Sequence, residues 1–183
     1  MIESVHHNFI DSDWLQTLSN NLTNSPGWIF RQKFWRYYLV QGLATYHEND
    51  ASTWYHNQQQ ALNTMSPPWA QLFDKVLESA GPRFRLMRYA LTGQTQNQHP
   101  VLHTDVSETL SGHYTSYLIY LNTHWETQMQ GTTDFFKDNV LTHQEYPEPG
   151  KLVVFDSKVF HQGNPPHKED TLRLTLVLHG QHV

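Results

Sequence analysis

The sequence predicts a mainly β domain, a jelly roll or small barrel, with helices packed outside it. Three observations predict this. Apolar residues recur at helical spacing before residue 81, whereas short strand-like runs separated by turn residues follow it. The final run, 171–179 "TLRLTLVLH", alternates cleanly. At 183 residues with 13% aromatics, the chain is long enough to bury one core and too aromatic to be disordered. One domain over 1–183 is therefore expected, with 1–80 as a helical support region and 81–183 as the jelly-roll core.

The elements follow in order. Asp11 or Ser12 caps a short helix in which Trp14, Leu18 and Leu22 recur one turn apart. The stretch 28–40, "WIFRQKFWRYYLV", is β-prone and predicts one or two strands, with Trp28, Phe30, Phe34, Trp35, Tyr37 and Tyr38 mostly core. Ser66 precedes two prolines, then Trp69, Leu72, Phe73, Val76 and Leu77 follow at helical spacing until Gly81. The tracts 57–60 "NQQQ" and 95–98 "TQNQ" read as loops. Strands are expected at 83–91, 101–105, 115–122, 132–136, 151–156, 159–161 and 171–179. In the last, Leu172, Leu174, Leu176 and Leu178 share one face, and Arg173, Thr175, Val177 and His179 the other.

Composition excludes several classes. The net charge of −5 offers no basic field for phosphates, so nucleic acid is not an expected partner, despite the strip Arg83, Arg85, Arg88. The absence of cysteine removes disulfides and thiolate metal sites and fits a cytoplasmic protein. The segment "MIESVHHNFIDSDW" has neither the basic start nor the apolar run of a signal peptide, and no run approaches the ~18 apolar residues of a membrane span. No membrane association is expected.

The chemistry begins at 101–107, "VLHTDVS", where His103 and Asp105 sit two apart. Chance placement of 13 His and 17 acidic residues gives about one His-x-Asp/Glu pair, and four occur, so the spacing needs context. On a strand both side chains would project to one side and could grip one metal ion. A redox-active iron site needs two His and one carboxylate with positions left open. His161, at a strand end before Gly163 and the Pro165–Pro166 loop, fits as the third ligand. The rival pairs fit less well: His124/Glu126 reads as a turn, His167/Glu169 as a Pro-and-charge loop, and His143/Glu145 lies too close to His161. The remaining histidines read as mostly solvent-facing. The pairs His6–His7 and His179/His182 are candidates only for adventitious metal.

Arg173 is the only arginine after Arg88 and lies mid-strand among leucines. A buried guanidinium calls for an anionic partner, and that strand holds no acidic residue. A bound dicarboxylate such as 2-oxoglutarate would supply it in two-point fashion, with Thr175 on the same face to help.

The order His103-x-Asp105, His161, Arg173-x-Thr175 resembles the Fe(II)/2-oxoglutarate-dependent dioxygenases. Within them, "LIYLNTHWETQMQGTTDFF", "PEPGKLVVFDSKVFHQGNPP" and "RYALTG" are similar to segments of the prolyl 4-hydroxylase-like branch, so the likeness spans roughly 83–179. It implies a double-stranded β-helix, cupin-like core packed by the N-terminal helices. It implies His103, Asp105 and His161 as iron ligands, Arg173 on the distal carboxylate of 2-oxoglutarate with Tyr120 and Thr175 helping, and Tyr89 and Trp125 as weaker candidates for the cofactor pocket and the substrate wall. Fe(II), 2-oxoglutarate, O2 and ascorbate as an accessory reductant are the implied cofactors. The implied reaction hydroxylates a C–H bond while 2-oxoglutarate is converted to succinate and CO2, with no protein general base.

A prolyl or other peptide side chain is the implied substrate, with a free amino acid or small metabolite as the nearest alternative. The branch often has Gly-Gly-Glu where this chain has Gln130, Gly131, Thr132, which weakens substrate inference. Nucleic-acid dealkylases typically carry a second arginine six residues after the first, and position 179 is His. A metal-binding cupin without oxygenase activity is the alternative from another class; it would have no need of Arg173.

Overall fold

The computed structural model describes residues 1–24 and 66–183, together with the backbone of two strands between them. The first strand, β1 (Ile2–His6), leads into helix α1 (Ser12–Thr23). The Asp11 carboxylate caps α1 by accepting from the Trp14 N–H at 2.9 Å. Strands β2 (Trp28–Arg31) and β3 (Arg36–Leu39) fall in the stretch expected to hold one or two strands, but the side chains of the 28–40 aromatic cluster and the 57–60 loop lie outside the described residues. Helix α2 (Pro67–Ala80) begins on two prolines, which have no N–H to leave unsatisfied, and stops at Gly81.

Seven strands follow: β4 (Phe84–Gln94), β5 (His113–Tyr120), β6 (Thr133–Lys137), β7 (Val140–Glu145), β8 (Leu152–Asp156), β9 (Phe160–Gly163) and β10 (Arg173–His182). They form two antiparallel sheets, a larger one in the order β1-β8-β5-β10-β4-β3-β2 and a smaller one in the order β7-β6-β9. This is the expected jelly roll with N-terminal helices.

Period-two alternation in the larger sheet divides the molecule into two cores. On one face, Leu174, Leu176, Leu178, Tyr117, Ile119, Leu152 and Val154 pack against Leu15, Leu18 and Leu22 of α1 and Trp69, Leu72, Phe73 and Val76 of α2. On the other, Leu118, Tyr120, Val153 and Phe155 meet Phe135 of the smaller sheet, with Val177 against them. Register places residues of β10 between partners: Arg173 opposite Gln94, Thr175 between Thr92 and Tyr120, and His179 between Arg88 and Ser116. A bulge at His179/Gly180 interrupts the pairing with β4. A Cβ on Gly180 would lie 2.2 Å from Phe84 Cζ and 2.5 Å from the Arg85 carbonyl oxygen, so only glycine fits there.

Two expectations need correction. Residues 101–105 are not a strand; they make a single bridge, His103 to His161, after which the Asp105 N–H donates to the Ser157 carbonyl at 2.9 Å. Simple alternation therefore does not explain why His103 and Asp105 converge. Conversely, 140–145 is a strand: it is exposed except at Glu145, so it shows no apolar alternation.

Candidate active site

His103, Asp105 and His161 offer ligand atoms that all lie within 4.8 Å of one another. The first bridge residue and strand β9 deliver the two imidazoles, whose centroids are 4.4 Å apart. Each ring is oriented by its own chain: Nδ1–H of His103 donates to the Val101 carbonyl at 2.8 Å, and Nδ1–H of His161 to the Val159 carbonyl at 2.9 Å. A carbonyl only accepts, so Nδ1 carries the proton and Nε2 presents its lone pair. The two Nε2 atoms each lie 3.6 Å from an Asp105 oxygen, His103 from Oδ1 and His161 from Oδ2. Two imidazoles and one carboxylate fit a divalent first-row metal with positions left open. Among the described residues this is the only group of three or more such side chains placed to hold a metal ion.

Asp105 is held on every side. Its side chain is 4% exposed, and burial would raise its pKa, but His179, His161 and His103 outweigh that and hold the carboxyl well below the usual range. The Ser116 hydroxyl donates to Oδ2 at 2.7 Å, and His179 Nδ1 lies 3.2 Å from the same oxygen. Burial pushes the His179 imidazole below its usual range, although Asp105 pulls the other way. Arg88 donates to the Asp105 backbone carbonyl at 2.8 Å, with its side chain 45% exposed.

At the other end of the interior Arg173 is 2% exposed. Its Nε donates to the Gly131 carbonyl at 2.7 Å, Nη1 to Gln94 Oε1 at 3.0 Å and Nη2 to Thr133 Oγ1 at 2.8 Å. Its guanidinium carbon is 5.3 Å from the Tyr120 ring centre, and the Tyr120 hydroxyl is 2.8 Å from the same Thr133 oxygen. Burial raises the Tyr120 pKa, so the phenol stays protonated and can donate. Thr175 Oγ1 lies 2.7 Å from Thr92 Oγ1. Thr133 and Phe135 are two residues apart on β6, and Phe135 faces His161, so the guanidinium end stands about 7 Å along the strand from the His161 row. That spacing is comparable to the length of a five-carbon dicarboxylate.

The remaining expected residues separate. Tyr89 lies on the helix-facing side of β4, its ring 4.7 Å from that of Phe73, with its pKa pushed up to about 12 by burial. It therefore faces away from Arg173. Trp125 donates through Nε1 to the Gln130 carbonyl at 2.9 Å and lies over Gly131, whose φ of 78° and tight contact with Trp125 and the Arg173 stem exclude a side chain. His143 and Glu145 sit on β7, where Glu145 also receives the buried Lys151 at 2.9 Å, so this pair is committed elsewhere. His124 and Glu126 are exposed neighbours, 3.2 Å apart.

His179 is the main correction. It is 4% exposed and bonded into the site, not a surface histidine. Its place on the Arg173 face of β10 was the signal available for it. Ser116, Thr133 and Gln94 had no such signal, because they reach the site through pairing across strands.

The fold and the His–Asp–His cluster together define a cupin-like jelly roll with a two-His, one-carboxylate site. Residues 84–179 match the family model of the 2OG-Fe(II) oxygenase superfamily, and the chain belongs to that family. It is a 2-oxoglutarate- and Fe(II)-dependent dioxygenase.

Similar solved structures include a Pseudomonas putida prolyl-4-hydroxylase (19% identity, TM-score 0.61, covering 98% of this chain and 92% of that one). A prolyl hydroxylase from Trichoplax adhaerens, in complex with a hypoxia inducible factor peptide fragment, gives 15% identity and a TM-score of 0.60 over 98% and 83%. HygX from Streptomyces hygroscopicus, with nickel, 2-oxoglutarate and hygromycin B bound, gives 14% and 0.66 over 98% and 82%. No curated protein sequence matches the chain at a significant level.

Proposed function

We propose that the protein hydroxylates a prolyl or other peptide side chain, with His103, Asp105 and His161 holding the iron and Arg173 the distal carboxylate of 2-oxoglutarate. The observation that carries the residue assignment is the pairing of a His–Asp–His cluster with a buried guanidinium about one dicarboxylate length away, inside one jelly roll. Iron held there would supply the oxidising power for a reaction in which a substrate C–H, 2-oxoglutarate and O2 become C–OH, succinate and CO2. The chain's own contribution is position. Val101 and Val159 aim the two Nε2 lone pairs, and Thr133, Thr175 and Tyr120 surround the carboxylate end with hydroxyls. Phe135 and Phe155 pack on His161 and keep water from its flank. No side chain is assigned as a general base.

The likeness to prolyl hydroxylases supports the peptide substrate, one of them having been solved with a peptide fragment. Arg88 favours a second reading: its half-exposed guanidinium is anchored at the edge of the cluster, where it suits the carboxylate of a free amino acid or other small acid. HygX, with hygromycin B bound, supports a small-molecule acceptor on this fold. Helices α1 and α2 share a core with β10, which supports residues 1–80 as part of a single domain with the roll. Among the described residues no helix is long and apolar enough to cross a membrane, and we place the cysteine-free chain in the cytoplasm.

Anaerobic addition of Fe(II) and then 2-oxoglutarate to the metal-free protein tests the site. A visible charge-transfer band that needs both additions and vanishes in His161→Ala is expected. Iron binding without such a band would remove the cosubstrate assignment and favour a metal-binding cupin. Succinate release is then compared with proline-containing peptides and with free amino acids. Stimulation by the acids alone, lost in Arg88→Ala, would replace the peptide reading with the second one.

A further inference from the structure

We propose that Ser116 and His179 are positioning residues that hold back one oxygen of Asp105, so that the carboxylate offers a metal ion Oδ1 alone. The inference rests on the metal-centre reading above and adds how many of the carboxylate's oxygens are available. An ionised carboxylate oxygen has two in-plane lone pairs. On Oδ2 one is taken by the Ser116 hydroxyl at 2.7 Å, and His179 Nδ1 stands against the same oxygen at 3.2 Å.

The hydrogens account for themselves. Ser116 has one, aimed at Oδ2, so its oxygen accepts from the Ser157 hydroxyl at 2.7 Å and from His179 Nδ1–H at 3.0 Å, which the ring shares with Oδ2. The Ser116 hydrogen is thereby committed to the carboxylate. His161 does not compete for Oδ2, because its facing Nε2 lies 3.6 Å away, beyond hydrogen-bond distance. Oδ1 is different: its neighbours, His103 Nε2 at 3.6 Å and the Arg88 guanidinium at 3.9 Å, are both beyond hydrogen-bond distance.

The backbone completes the clamp. The Asp105 N–H donates to the Ser157 carbonyl, and the Asp105 carbonyl accepts from Arg88. Ser157 thus holds both the main chain of Asp105 and, through Ser116, its side chain. Turning the carboxylate would break the Ser116 hydrogen bond and the His179 contact in a place where the side chain is 4% exposed. A one-oxygen grip keeps a coordination position clear for cosubstrate, whereas a two-oxygen grip would fill it. His179 lies on the same face of β10 as Arg173, so one strand sets both the carboxylate's orientation and the cosubstrate's distal anchor.

Cobalt(II) is the probe, because its visible absorption reports coordination without turnover. Anaerobic cobalt titrations, each followed by 2-oxoglutarate, compare the wild type with S116A, S116T and H179F, and the metal-free melting temperature of each is recorded. S116A and H179F are expected to bind cobalt roughly 10- to 100-fold more weakly, with an altered visible band and a smaller response to 2-oxoglutarate. S116T, which keeps the hydroxyl, is expected to return toward the wild type.

Cobalt affinity and spectra unchanged in both S116A and H179F would overturn the proposal, as would S116T behaving like S116A. Should S116A fail to fold, H179F and S116T carry the same comparison. Failure of the wild type to bind cobalt would remove the metal centre itself. A wild type that binds and responds, with variants that match it, would remove only the positioning role.

Discussion

The two faces of β10 share one backbone and do opposite work. Leu174, Leu176 and Leu178 are each 2% exposed or less and meet apolar side chains of both helices. One residue over, Arg173, Thr175 and His179 are just as buried, yet each is tied to polar partners: a carbonyl, an amide, hydroxyls and a carboxylate. Burial alone therefore does not distinguish scaffold from site; the partners do. The leucine face tolerates any close-packed apolar set of similar volume. The polar face tolerates little, because each buried group depends on a specific acceptor or donor.

Substitutions on either side test how separable the faces are. His161→Ala should have the largest effect, lowering metal affinity by more than about 100-fold while the leucine core stays intact, as read by iron titration alongside circular dichroism. Leu176→Ala, on the fully buried opposite face, should cost about 2–5 kcal/mol of stability in denaturant melts, with metal affinity at 20 °C preserved. Equal loss of metal affinity in both would mean that the faces are not separable.

Arg173→Ala should raise the concentration of 2-oxoglutarate needed for the charge-transfer band by roughly 10- to 150-fold, the loss of about 1.5–3 kcal/mol of charge-assisted bonding. Iron affinity should hold. Wild-type cosubstrate affinity in this variant would assign the guanidinium to structure alone.

The smallest expected effect lies outside both faces. His143 and Lys151 hold the Glu145 carboxyl below its ordinary 4.5 even though burial pushes it up. Its contribution to stability is therefore complete above the ordinary glutamate range and fades as pH falls through the lowered folded value. Glu145→Gln should flatten the acid limb of a stability-versus-pH curve below about pH 5 and leave neutral-pH cosubstrate binding unchanged.

What the sequence made legible followed the same division. The helix-facing leucines, the Asp11 cap, the Gly81 stop and the face shared by Arg173 and Thr175 depend on local spacing, and all appear where spacing put them. His103, Asp105 and His161 were legible as a set, although the strand supposed to align the first two is a single bridge; the paired His103–His161 backbone bonds and the Asp105–Ser157 bond set that backbone instead. Ser116, Gln94 and Thr133 were invisible because non-local strand register brings them in. Strand β7 was invisible because its residues face solvent on nearly every position.

The bulge at His179/Gly180 bears on how such a site can change over time. A strand can ordinarily slide by two residues and keep its alternation, trading one set of inward side chains for the next. Here sliding would drive a Cβ into Phe84 and the Arg85 carbonyl, and would carry His179 off Asp105. β10 therefore behaves as a ruler with fixed marks, Arg173 at one graduation and His179 at another. A descendant that takes a longer or shorter diacid would have to alter the reach of the side chain at a mark, since the ruler itself cannot move.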